Sequence, residues 1–103
     1  MTRLDARRCE VLLCLQNALL GAVTGNLRAV VVRYDSSSVH FEAYYDGPIG
    51  EDEREVMSLV ETEVLAALPA SNTVEHSLTR LDAPAPIPKE RIWVFFRKEP
   101  LLD

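Results

Sequence analysis

Tyr44-Tyr45-Asp46-Gly47-Pro48-Ile49-Gly50-Glu51-Asp52-Glu53-Arg54-Glu55 is the stretch whose reading decides the fold. An aromatic strand stops at Gly47-Pro48, because glycine and proline interrupt a strand ladder. A helix opens at Gly50, an acceptable N-cap, with Glu51, Asp52 and Glu53 in its first turn. Carboxylates there are favoured by the helix dipole, by about 0.3–1 kcal/mol each. The chain thus switches from a period of two residues to one of 3.6 within a dozen residues.

Upstream of this switch, Leu27–Tyr34 and Val39–Tyr45 read as two strands joined by the short polar link Asp35-Ser36-Ser37-Ser38, an antiparallel hairpin. Val39, Phe41, Ala43 and Tyr45 share one face of the second strand and form its core side, because strand side chains alternate. His40, Glu42 and Tyr44 share the other, which reads as solvated or partner-facing. Downstream, the helix runs to Leu68, before Pro69, with Val56, Met57, Val60, Val64, Ala67 and Leu68 as its buried stripe. Glu51, Glu55, Ser58 and Thr62 face away. Glu63 lies at the edge of the stripe, where a half-buried carboxylate calls for a charged partner, with Arg28, Arg33 and Arg80 as candidates.

A first helix is expected from Leu4 to Val23, with Thr2 and Asp5 as a capping box and Gly25 after its C-cap. Leu4, Val11, Leu12, Leu15, Ala18, Leu19 and Ala22 form its main stripe; Cys9, Leu13 and Leu20 lie roughly opposite, so either the rest of the fold covers both sides or the second stripe is a seam for a partner or a second copy. Thr73–Leu81 is a third strand and Arg91–Lys98 a fourth. Between them Asp82–Glu90, with Pro84, Pro86 and Pro88, reads as a stiff, extended connection, and Pro100–Asp103 as an unanchored tail. The order α-β-β-α-β-β, in which a helix-plus-hairpin outline recurs, predicts an α+β fold: residues 1–103 as a single domain, with a mostly antiparallel four-stranded sheet, both helices on one face and the other face bare.

The chain has 103 residues and a formal net charge of −5, which opposes nucleic-acid binding and docking on anionic membranes. Acid suits a basic protein partner, although it also serves solubility. Cys9 and Cys14, five positions apart, point about 140° away from each other on a helix and read as reduced, semi-buried residues of a cytoplasmic protein. Arg3, Arg7 and Arg8 before Val11–Leu15 have the outline of a signal peptide, but Asp5, Glu10, Gln16 and Asn17 interrupt it, and no apolar run reaches the ~20 residues that span a bilayer.

No catalytic constellation is evident. His40 and His76 sit on separate strands, and whether they meet depends on the strand order. Ser36–Ser38 lack the glycine frame of a nucleophile elbow, the acidic turn has the wrong spacing for a calcium loop, and no glycine-rich phosphate loop exists among Gly21, Gly25, Gly47 and Gly50. Neither a cofactor nor a metal is expected.

Asn26-Leu27-Arg28-Ala29-Val30, Tyr45-Asp46-Gly47 before Glu51-Asp52-Glu53, Glu61-Thr62-Glu63-Val64, Arg80-Leu81-Asp82 before Pro84 and Pro86, and Trp93-Val94-Phe95-Phe96-Arg97-Lys98-Glu99 run along nearly the whole chain. In this order they resemble small standalone bacterial immunity proteins of toxin–immunity systems of the contact-dependent growth inhibition type. The resemblance implies a non-enzymatic cytoplasmic protein that binds and blocks a cognate toxin, often a nuclease with a basic surface. The candidate contacts are Glu42, Tyr44, Asp46, Glu51, Asp52 and Glu55. The competing expectation is a homodimeric structural or regulatory module paired through the first helix.

Overall fold

A computed structural model of the protein describes residues 2–88 and 91–99. The side chain of Leu4, Lys89-Glu90 of the proline segment, and the tail Pro100–Asp103 lie outside the described residues. The first helix, α1 (Arg3–Leu19), starts where the Thr2 hydroxyl accepts the Asp5 N–H at 3.1 Å. It ends four residues earlier than the spacing predicts: Leu20 is the C-cap, and Gly21 at φ +80° follows it as the left-handed residue that stops a helix. Gly25, the expected terminator, has no positive φ.

The strands β1 (Leu27–Tyr34) and β2 (Ser38–Tyr45) pair antiparallel, and the hairpin turns where the Asp35 carboxylate accepts the Ser37 and Ser38 N–H groups. The second helix, α2 (Glu51–Ala67), begins at Gly50, whose N–H is taken by the Glu53 side chain at 3.1 Å. It returns the chain so that β3 (Thr73–Arg80) lies parallel beside β2. The last strand, β4 (Ile92–Phe96), pairs antiparallel with β1 at the opposite edge. The α+β order α-β-β-α-β-β holds, and the sheet order is β3-β2-β1-β4. The sheet is mixed, with one parallel pair, and β3 and β4 do not form the second hairpin of the outline. A helix between two strands carries the chain back to its starting end, which makes the following strand parallel.

Val11, Leu15, Leu27, Val30, Phe41, Tyr45, Met57, Val60 and Val64 close the core between helices and sheet. Val39, Phe41, Ala43 and Tyr45 face it as the alternation requires. Burial, with the Glu53 charge adding to it, pushes the phenol of the fully buried Tyr45 up to about 12. Ala67, placed in the buried stripe by spacing, is exposed, and so is Cys9; Cys14 is half-buried, which raises its thiol.

The other face of the sheet is not bare. After β3 the chain turns, with Ala85 N–H donating to the Asp82 carbonyl and a cis peptide before Pro84, and then crosses that face as a strap. Ile87 of the strap, 5% exposed, packs on Ala29, Val31 and Tyr44, with Leu81 and Trp93 alongside. Proline spacing predicts stiffness, but only the edge-to-edge placement of β3 and β4 requires this segment to traverse the sheet.

Candidate functional site

The motif residues of the sequence converge on one end of the sheet. A register shift in β1 between Leu27 and Ala29 leaves Arg28 as an extra residue with no partner on β2, while on the other side its carbonyl accepts the Arg97 N–H at 2.8 Å. Its guanidinium, 3% exposed, donates through Nε and Nη2 to both Glu99 oxygens at 2.8 Å and through Nη1 to the Leu81 carbonyl at 2.6 Å. Arg97 bonds the same Glu99, the Gly25 carbonyl and Asp46. Asp82 accepts the Gly47 N–H and ion-pairs Arg80, and Asn26 donates to Glu53 at 3.0 Å. Hydrogen bonds from Arg28 and then Arg97 hold the Glu99 carboxyl below the usual carboxylate range, and the bond to Glu99 raises Arg28. These residues tie the 24–26 turn, the strand end, the strap and the last strand together. Their job is architectural.

That geometry divides the six candidate contacts. Asp46 is inside the cluster: it pairs with Arg97 at 3.1 Å and accepts the Ala83 N–H. Tyr44 is 5% exposed, packed under Ile87, and its hydroxyl donates to Glu42. This overturns the reading of the Tyr44 side as solvated, because the strap lies across it. Glu42 is half-buried and also accepts from Thr79 and Ser77 at 3.1 and 3.3 Å. Burial disfavours its charge, but the Tyr44, Thr79 and Ser77 hydroxyls together hold it below its usual value. Glu51, Asp52 and Glu55 are exposed at the start of α2, and none of them enters an ion pair among the described residues.

Asp52, Glu55, Leu59 and Glu63 follow at three- and four-residue steps, so they share the outer face of α2. Leu59 is 59% exposed there. Sequence reasoning missed it, although its absence from the buried stripe was the available signal. Glu63 is exposed and not the half-buried carboxylate expected; Glu61, two residues earlier, takes that role, its carboxylate accepting from His76 Nδ1 at 2.7 Å rather than pairing with an arginine. Leu13 of α1 and Leu20, its C-cap, are exposed, at 58% and 79%.

His40 and His76 lie on neighbouring strands but on opposite faces. His76 stacks on Phe41 with ring centroids 5.5 Å apart, on the helix side, while His40 contacts Ser77 Oγ at 3.2 Å on the other. Among the described residues, no group of three or more His, Cys, Asp or Glu is placed to hold a metal ion, and no helix is long and apolar enough to cross a membrane.

No curated protein matches the chain. Residues 8–99 match the model of the MafI2 immunity protein family, and the chain belongs to that family.

Proposed function

We propose that this immunity protein neutralises its cognate toxin from the outer face of α2, where Glu51, Asp52 and Glu55 occupy the turns that lead up to Leu59. Family membership supplies the coarse role, binding and neutralising a toxin. The observation that carries the finer reading is that these three carboxylates are exposed and outside every ion pair of the described residues, beside a 59%-exposed leucine. An apolar anchor within a charged surround is the composition of a steered interface, in which charge sets the encounter rate and the anchor slows dissociation. The matching toxin surface is basic, as at the nucleic-acid site of a nuclease. Contact-dependent delivery, a cytoplasmic location and a purely non-enzymatic action belong to the same proposal. Glu42, Tyr44 and Asp46 drop out of the contact set, since each is already engaged within the fold.

The test uses the cognate toxin domain recovered by co-purification from the host. The triple reversal Glu51→Lys, Asp52→Lys, Glu55→Lys should slow association by about 10–100-fold at low salt and flatten its salt dependence. Leu59→Ala should instead raise the dissociation rate. Unchanged association kinetics in the folded triple variant would reject this surface. A second reading rests on exposed Leu13 of α1 and Leu20 at its C-cap, which suit pairing with another copy; a clean monomer in sedimentation at micromolar concentration removes it.

A further inference from the structure

The face crossed by the strap carries a feature that the toxin-binding reading does not use. Arg33 and His40 are cross-strand partners on β1 and β2. Arg91 immediately precedes Ile92, the partner of Val32, so it enters beside Arg33 from the neighbouring strand. Arg33, Arg91, His40 and Glu42, with Val31 beneath, line one shallow cleft. Elsewhere on the sheet the arginines are committed: Arg28 to Glu99, Arg80 to Asp82, Arg97 to Asp46 and Glu99. Arg33 and Arg91 make no hydrogen bond or ion pair among the described residues. The Glu42 carboxylate lines the same cleft and feels the Arg91 charge, but its hydrogen bonds go to the Tyr44, Ser77 and Thr79 hydroxyls. Glu75 lies 3.8 Å from the His40 ring, on its far side from Arg33 in the sheet order. Arg33, at the end of β1, and Arg91, just before β4, bring two guanidinia together without a hydrogen-bonded counter-ion among the described residues, and solvent at the exposed Arg33 screens only part of their repulsion. An anion between them removes that repulsion.

We propose that this cleft is an anion site that takes a phosphate group, with Arg33 and Arg91 donating N–H bonds to its oxygens. The guanidinium fork matches oxyanions edge-on. A carboxylate has one two-oxygen edge and satisfies one fork, whereas a tetrahedral phosphate offers edges to both. The site lies at the hairpin end of the sheet, away from the β2–α2 junction where the toxin-facing helix begins, so either reading can fail without the other.

Trp93, the chain's only tryptophan, pairs with Val31 of the cleft and packs against Phe96 with centroids 4.8 Å apart. Its fluorescence is therefore the reporter. Inorganic phosphate, adenosine 5′-monophosphate and acetate are titrated separately into the full chain at constant ionic strength. Saturable binding of phosphate is expected, with acetate at least about tenfold weaker, and Arg33→Gln or Arg91→Gln should each weaken phosphate by about tenfold, the loss of one charge-assisted contact. Glu42→Gln should tighten it, a change that a merely structural role would not produce. Tighter binding of the nucleotide than of free phosphate would assign the phosphate to a nucleotide lying along Trp93; equal binding would assign it to free phosphate. A linear response, or phosphate binding unchanged in both folded arginine variants, would overturn the site.

Discussion

Glu99→Gln tests the physical account of the sheet's end most directly. The change replaces one carboxylate oxygen by an amide nitrogen, so shape is conserved and charge is not. In the native protein Arg28, 3% exposed, is neutralised by a two-point contact with Glu99, itself 13% exposed. After substitution the guanidinium keeps the Leu81 carbonyl and loses its counter-ion. Removing one member of a fully buried pair costs about 3–5 kcal/mol; the residual exposure of Glu99 lowers the expectation to about 2–3 kcal/mol. For a domain of this size that is a melting-temperature drop of about 10–20 °C. The pH dependence has a definite sign. The folded Glu99 pKa lies below its unfolded value, so the pair's contribution is fully present above the ordinary glutamate range and is lost as pH falls through the lowered folded value. The wild-type–variant difference, measured by urea unfolding from pH 7 to pH 3, should therefore shrink toward acid. A difference under about 0.5 kcal/mol at pH 7, or one independent of pH, would refute the claim that this ion pair holds the last strand and strap.

The helix end can be checked by paired substitutions. Gly21→Ala should destabilise by about 1–2 kcal/mol because φ is +80° there, whereas Gly25→Ala should be close to neutral, in thermal or urea unfolding. Ile87→Ala removes the side chain that anchors the strap and should cost about 2–4 kcal/mol, together with faster proteolytic cleavage between residues 82 and 88; equal cleavage would mean that Ile87 does not hold the strap down.

Much of the frame is legible along the chain because it depends on local rules. The two-residue alternation of Val39–Tyr45, the Asp35 turn, the Thr2 cap and the Gly50 start are each decided within a few residues. The candidate site was only half legible. Glu51, Asp52 and Glu55 are exposed because they stand opposite Met57, Val60 and Val64 on a helix, a property of spacing alone. The burial of Tyr44 and the partners of Asp46 were not legible, because their surroundings come from residues 37 to 51 positions away. Periodicity assigns a residue to a face but does not say what covers that face.

The family motifs show the same division. That Arg28, Asp46, Arg80, Asp82, Arg97 and Glu99 are charged is read from the sequence; that they meet is a product of the sheet order β3-β2-β1-β4. Local chemistry determined the elements, their caps and their apolar faces, since hydrogen bonding and side-chain period act over neighbouring residues. Only the tertiary structure decided that β3 lies parallel to β2, that the proline strap buries Tyr44, and that Arg33 and Arg91 share a cleft while the other sheet arginines are paired. Those outcomes follow from which distant segments are brought within contact range as apolar side chains are buried on both faces of the sheet.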